Sequence, residues 1–123
     1  MASGTIAGAF PTNPGNPITP TGAGNYITVD GGGFYRFGKV VLVQILATTT
    51  RAIAYGTDAY ASVATNAPTP ALSGVALSVT TGQLSNPVPV AAQIRDTTLR
   101  VKSVGVTIPQ NQYLFITGMY IAQ

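Results

Sequence analysis

Short β-rich segments, separated by turns rich in Gly, Pro, Asn and Asp, make up most of the sequence after residue 25. Residues 26–29 lead into the glycine-rich stretch 30–33, and residues 34–47 resume as a long β-rich run, which predicts a hairpin. Signals for the start and end of helices are absent. Four further strand candidates follow, at 75–80, 88–94, 98–108 and 112–122. This alternation predicts one all-β, antiparallel β-sandwich or barrel-like domain over residues 26–123.

Two of these strand candidates are apolar on both faces. The first is residues 40–46, and in the last one Leu114, Ile116 and Tyr120 alternate with Tyr113, Phe115, Met119 and Ile121. A strand of this kind is covered twice, by its own core and by a second layer or another subunit. The sequence therefore predicts a homo-oligomer, with an interface formed by Leu114, Phe115, Met119, Tyr120 and Ile121.

The composition removes most catalytic chemistry. The chain has no His, Cys, Glu or Trp, and its only acidic residues are Asp30, Asp58 and Asp96. General acid–base catalysis requires a group that titrates near neutrality, and an activated nucleophile requires such a group beside it. Zinc and iron sites built from Cys and His are impossible. We therefore expect no enzyme activity, no catalytic residue, no metal and no cofactor.

The surface carries very little charge. Only 7% of the residues are charged and the net charge is +3, and the basic residues are dispersed along the chain, with only Arg95, Arg100 and Lys102 near one another. Binding to nucleic acid requires a dense basic stripe, so we expect no nucleic-acid partner. No apolar stretch reaches the length of a membrane-spanning helix, so no membrane partner is expected either. A surface this poor in charge suits a protein that is largely committed to contacts with other subunits.

Residues 1–25 differ from the rest of the chain and are predicted to form an extended, Gly/Pro-rich N-terminal arm. The prolines Pro11, Pro14, Pro17 and Pro20 recur at every third position, which matches the three-residue turn of polyproline II. Ile6, Phe10 and Ile18 are the apolar side chains suited to hold the arm in pockets of a larger particle. The arm is therefore interpreted as an anchor.

Residues 56–70 are predicted to form a long loop. Tyr55, Asp58, Tyr60 and Asn66 are its candidate ligand-binding side chains, because long loops in compact domains often carry function. The alternative is an ordinary surface connection that binds nothing.

Three sequence stretches resemble the distal β-domains of bacteriophage fibres and related virion surface proteins. They are Tyr-Arg-Phe-Gly-Lys-Val-Val-Leu-Val-Gln at 35–44, Val-Thr-Ile-Pro at 106–109 and Gly-Met-Tyr-Ile at 118–121. The resemblance implies an antiparallel sandwich or barrel that is usually trimeric. The Trp-containing strands of those domains and a fibrous shaft are missing, and the N-terminal arm is more similar to the anchoring arm of a capsid decoration or cement protein.

The resemblance implies a phage structural protein on the surface of the virion. It would be anchored to the major capsid protein or another virion protein and assembled as a homotrimer. The alternative is a receptor- or glycan-binding knob of a phage fibre or baseplate, which would use the loop at 56–70.

Overall fold

The computed structural model describes residues 16–54, 60–81 and 89–123, and these residues form eight strands and no helix. The strands are β1 (Asn16–Ile18), β2 (Ile27–Phe37), β3 (Val40–Thr49), β4 (Ala61–Ala64), β5 (Gly74–Thr81), β6 (Val90–Arg95), β7 (Thr98–Ser103) and β8 (Tyr113–Ile121). All neighbours pair antiparallel in the order β1-β2-β3-β8-β5-β6-β7-β4, and the sheet curls into a half-barrel. The prediction of an all-β antiparallel fold is confirmed.

The core fills the concave side of the curled sheet. Along β3, Val41, Val43 and Ile45 point inward and are 0–3% exposed, while the residues between them face outward. Leu114 and Ile116 of β8 are also fully buried. The period of two along each strand therefore places one apolar set inside the half-barrel and a second apolar set on its convex surface.

Strand β5 joins the two halves of the sheet. Its first part, Gly74 to Leu77, pairs with β6, and its second part, Ser78 to Thr81, pairs with β8 on the other side. Strand β5 is therefore shared by two halves of the sheet, one formed by β1, β2, β3 and β8 and the other by β6, β7 and β4. Each half has its own outer surface.

The predicted turn at residues 30–33 is wrong, because β2 continues through these residues. A bulge between Val29 and Gly31 shifts the register of the pairing between β2 and β3. The hairpin turns instead at Gly38, which has a φ of 62°. Gly32 has a φ of 81°, and a Cβ at this position would lie 1.9 Å from the carbonyl oxygen of Gln44. Glycine at this position thus allows the backbones of β2 and β3 to approach each other closely. The same residue type also favours turns, which is why the sequence predicted a turn here.

Residues 19–24, here called the strap, connect β1 to β2 and hydrogen-bond to β4, the strand at the other end of the sheet order. The amide of Gly24 donates to the carbonyl of Ser62 at 3.0 Å, and the amide of Thr65 donates to the carbonyl of Thr21 at 2.7 Å. Gly22 has a φ of 86° and passes so close to Thr65 that a Cβ there would lie 2.1 Å from its hydroxyl oxygen. The strap therefore links the two edges of the half-barrel.

The described part of the predicted arm is bonded to the β-domain. In β1, Pro17 pairs with Tyr35 and Ile18 pairs with Phe34, and Ile18 packs against the core. Pro20, in the strap, is partly buried. Ordered pairing with the domain thus begins ten residues before the predicted boundary at 25/26. The other predicted anchors, Ile6, Phe10, Pro11 and Pro14, lie outside the described residues.

Candidate functional site

The convex side of β2, β3 and β8 carries a largely apolar surface, here called the outer apolar face. Its most exposed members are Met119 (68%), Ile121 (54%), Tyr113 (46%) and Phe115 (43%), all from β8. It is formed by Tyr35 and Phe37 of β2, Val40, Leu42 and Leu46 of β3, and Tyr113, Phe115, Met119 and Ile121 of β8.

The strand register places these side chains in rows across the sheet. One row joins Tyr35, Leu42 and Met119, and another joins Phe37, Val40 and Ile121. Gln44 and Thr117 pair between the Leu42 row and the row of Leu46 and Phe115. None of the side chains that β3 and β8 present to this face is charged. A contact over the Val40 and Leu42 rows therefore desolvates no charge of β3 or β8, whereas a contact that extends to Thr48 also meets the Asp30 carboxylate, which accepts a hydrogen bond from the Thr48 hydroxyl.

A shallow hollow of about 360 Å³ opens beside the Leu46 and Phe115 row. Gly31 and Gly32 form its floor on β2, because they have no side chain to fill the convex surface. Thr117 lies on its β8 side. The hollow gives the outer apolar face a concave feature that an apolar side chain of another molecule can enter.

The predicted interface residues divide between the two sides of β8. Phe115, Met119 and Ile121 lie on the outer apolar face, but Leu114 is fully buried in the core and Tyr120 is only 6% exposed. Leu114 and Tyr120 therefore are not available for contact with another molecule, because a strand turns alternate residues to opposite faces. The sequence pattern identified the strand but not which of its faces is free.

Tyr120 has a role inside the chain. Its hydroxyl donates to the carbonyl of Pro68 at 2.6 Å, which ties β8 to the segment that follows β4. Burial raises the pKa of Tyr120 to about 12, although the nearby Arg36 charge acts in the opposite direction. Arg36 itself donates to the carbonyls of Gly38 and Gln123, so its side chain is fixed at this end of the sheet.

The predicted ligand loop does not form one site among the residues described. Tyr55 and Asp58 lie outside the described residues. Asn66 uses its side chain to hold the strap: its Oδ1 accepts from the amide of Thr21 at 2.9 Å and its Nδ2 donates to the carbonyl of Thr19 at 2.8 Å. Tyr60 contacts a different part of the sheet from Asn66: its hydroxyl accepts a hydrogen bond from Gln93 of β6.

Two of the three acidic residues, Asp30 and Asp96, lie among the described residues. Asp30 accepts a hydrogen bond from the hydroxyl of Thr48, and Asp96 lies in the β6–β7 turn with a φ of 56°. Among residues 16–54, 60–81 and 89–123 there is no group of three potential metal-ligating side chains. Within the same ranges, no helix is long and apolar enough to cross a membrane.

Sequence reasoning identified residues 40–46 as apolar on both faces, but it did not join them or β2 to the predicted interface on the last strand. The signal was present in the alternation of Val40, Leu42 and Leu46 with the buried residues of the same strand. These side chains lie next to Met119 and Phe115 because β3 pairs with β8. Periodicity within one strand does not reveal which strand is its neighbour.

No protein-family model, no curated protein and no solved structure matches this chain. Its function is therefore inferred from the residues described above.

Proposed function

We propose that this chain is a structural protein that assembles with copies of itself through the outer apolar face, as a homotrimer on the surface of a phage particle. The observation that carries the self-assembly is the exposure of Phe115, Met119 and Ile121 on one face of one strand. The virion setting rests on the resemblance of residues 35–44 and 118–121 to virion surface β-domains.

The outer apolar face is energetically unfavourable in water. Burying a side chain of the size of Leu, Ile, Phe or Met contributes about 1.5–3 kcal/mol relative to leaving it exposed. Met119 and Ile121 keep 68% and 54% of their surfaces exposed, so most of that gain is still available to a contact. Contiguous apolar patches of this kind mark interaction surfaces in soluble proteins.

The charge distribution supports a second copy of the chain as the partner. Two identical faces repel when they carry net charge, and the β3 and β8 side chains of the outer apolar face carry none; the Asp30 carboxylate of β2 lies at its edge, bonded to Thr48. With only 7% charged residues in the whole chain, repulsion between copies is weak elsewhere as well. The hollow beside Leu46 and Phe115 can accept a Met or Ile side chain from a neighbouring copy.

In this proposal the N-terminal segment attaches the oligomer to its particle. Residues 16–24 are tied to β2 and β4, so they fix the position of residue 16, to which the rest of the predicted arm is joined. The remaining anchor candidates, Ile6 and Phe10, would then contact the major capsid protein or another virion protein.

Sedimentation velocity of the full chain, across a concentration series from nanomolar to micromolar, tests the self-assembly. We expect a trimer at micromolar concentration, with amide hydrogen exchange slowed at β3 and β8 as the trimer forms. A folded monomer throughout the series would refute the proposal. If another oligomer formed and the same strands were protected from exchange, the proposed interface would stand and the three-fold symmetry would be refuted.

A further inference from the structure

A second surface, on the opposite half of the sheet, carries positive charge instead of apolar side chains. It lies on the outer side of β6 and β7, where Gln93 pairs with Arg100 and Arg95 pairs with Thr98. Lys102 follows Arg100 two positions later on the same side of β7. The basic cluster is defined as Tyr60, Gln93, Arg95, Arg100 and Lys102.

The basic cluster holds the Arg100 guanidinium in a fixed orientation. Its central carbon lies 3.9 Å from the centroid of the Tyr60 ring, and the Lys102 amine lies 5.2 Å from the same centroid. Gln93 accepts from Nη2 of Arg100 at 3.0 Å and donates to the hydroxyl of Tyr60 at 2.7 Å. These contacts among Tyr60, Gln93 and Arg100 therefore hold the flat guanidinium of Arg100 beside the amine of Lys102.

The two cations of the basic cluster repel each other. Arg100 and Lys102 bring two like charges to one ring, and no acidic side chain among the described residues forms an ion pair with either of them. Among the described residues, the buried Nε of Arg100 has no hydrogen-bond acceptor. An anion bound here would offset the repulsion between the two cations.

The surroundings of the cations indicate the kind of anion. Gly74, Ala76 and Ala91 are exposed and form a flat floor of small residues next to the cluster. Gln93 and Thr98 supply neutral polar groups on the same outer side of β6 and β7 as the cations. A carboxylate suits the planar fork of an arginine, and a hydroxyl-bearing ring suits a flat floor edged with amide and hydroxyl groups.

We propose that the basic cluster binds a carboxylate-bearing saccharide, with Arg100 and Lys102 contacting the carboxylate. Single-stranded nucleic acid fits less well, because it requires an aromatic face for base stacking and the Tyr60 ring already carries two cations. This proposal is independent of self-assembly, because the cluster and the outer apolar face lie on different halves of the sheet.

Calorimetric titration of the full chain with a galacturonic acid oligomer tests the proposal, with a neutral maltose oligomer of equal length as the matched ligand. We expect binding of the acidic oligomer alone, weakening as salt is raised. Arg100→Gln and Lys102→Gln should each weaken binding by about tenfold or more, and Arg100→Lys should weaken it less than Arg100→Gln. Arg51→Gln is the matched control, because Arg51 also lies near a tyrosine ring, 6.0 Å from the centroid of Tyr26.

Three results would overturn the proposal. The first is equal binding of the neutral oligomer, and the second is unchanged affinity in both Arg100→Gln and Lys102→Gln. The third is tighter binding of an oligothymidylate or a polyglutamate peptide than of the galacturonic acid oligomer, which would assign the cluster to another class of polyanion. Thermal melting and sedimentation of each variant separate loss of the site from loss of the fold or of the oligomer.

Discussion

Replacing Met119 by Asp should dissociate the oligomer and leave the β-domain folded. Met119 is 68% exposed in the single chain, so full burial in an interface would add about 1–2 kcal/mol per copy. An unpaired carboxylate buried in its place costs about 3–5 kcal/mol more. Together these amount to roughly 4–7 kcal/mol, which weakens association by about a thousandfold to a hundred-thousandfold.

The assay for Met119→Asp is sedimentation velocity at micromolar concentration, where wild type and variant should differ in mass. Melting followed by circular dichroism checks the fold, which should change little because the side chain points away from the core. Val106→Asp is the matched control, because Val106 is an exposed apolar residue (47%) that lies outside the outer apolar face. The reasoning fails if Met119→Asp sediments like the wild type, or if Val106→Asp dissociates the oligomer to the same extent.

Three further changes test contacts within the domain. Gly33→Ala should cost about 1–3 kcal/mol in thermal melting, because its Cβ would lie 2.6 Å from the carbonyl of Ile18; Gly31→Ala, with nothing within 4 Å, is the control, and equal melting of the two would contradict this. Asn66→Ala removes two exposed hydrogen bonds to the strap, each contributing about 0.5–1.5 kcal/mol; amide exchange in the strap should accelerate, and unchanged exchange would contradict that role. The raised pKa of Tyr120 means that its hydroxyl ionises first in the unfolded chain, so stability should fall between pH 10 and about 12; Tyr120→Phe should flatten this fall in denaturant titrations, and an unchanged slope would exclude this hydroxyl as the cause.

Periodicity predicted the fold class because it is a property of each segment by itself. The two-sided apolar pattern of residues 40–46 and of the last strand identified the strands that now carry both the core and the outer apolar face. The turn at 30–33 was mispredicted because glycines that permit positive φ serve a bulge as well as a turn.

The candidate site could be predicted only in part, because it depends on which strands become neighbours. Met119 lies beside Leu42 only because β8 inserts between β3 and β5. In the same way, Tyr60 meets Arg100 because β4 returns to the edge of β7. Contacts between distant segments leave no periodic signal in either segment, so the sequence showed Arg95, Arg100 and Lys102 near one another but not the Tyr60 ring that joins them.

The place of β8 in the sheet has a consequence for how the protein is made. The central strand β3 obtains its second neighbour only from β8, and Thr49 and Gln112, which bond where the two strands meet, are 63 positions apart. At about 5–20 residues per second, a ribosome takes about 3–13 s to synthesise that interval. Throughout it, the β2–β3 hairpin has an open backbone edge and apolar side chains on both faces in water. Contacts this distant along the chain also slow folding, so the nascent chain is most vulnerable to aggregation during those seconds, before its own later segment covers that edge.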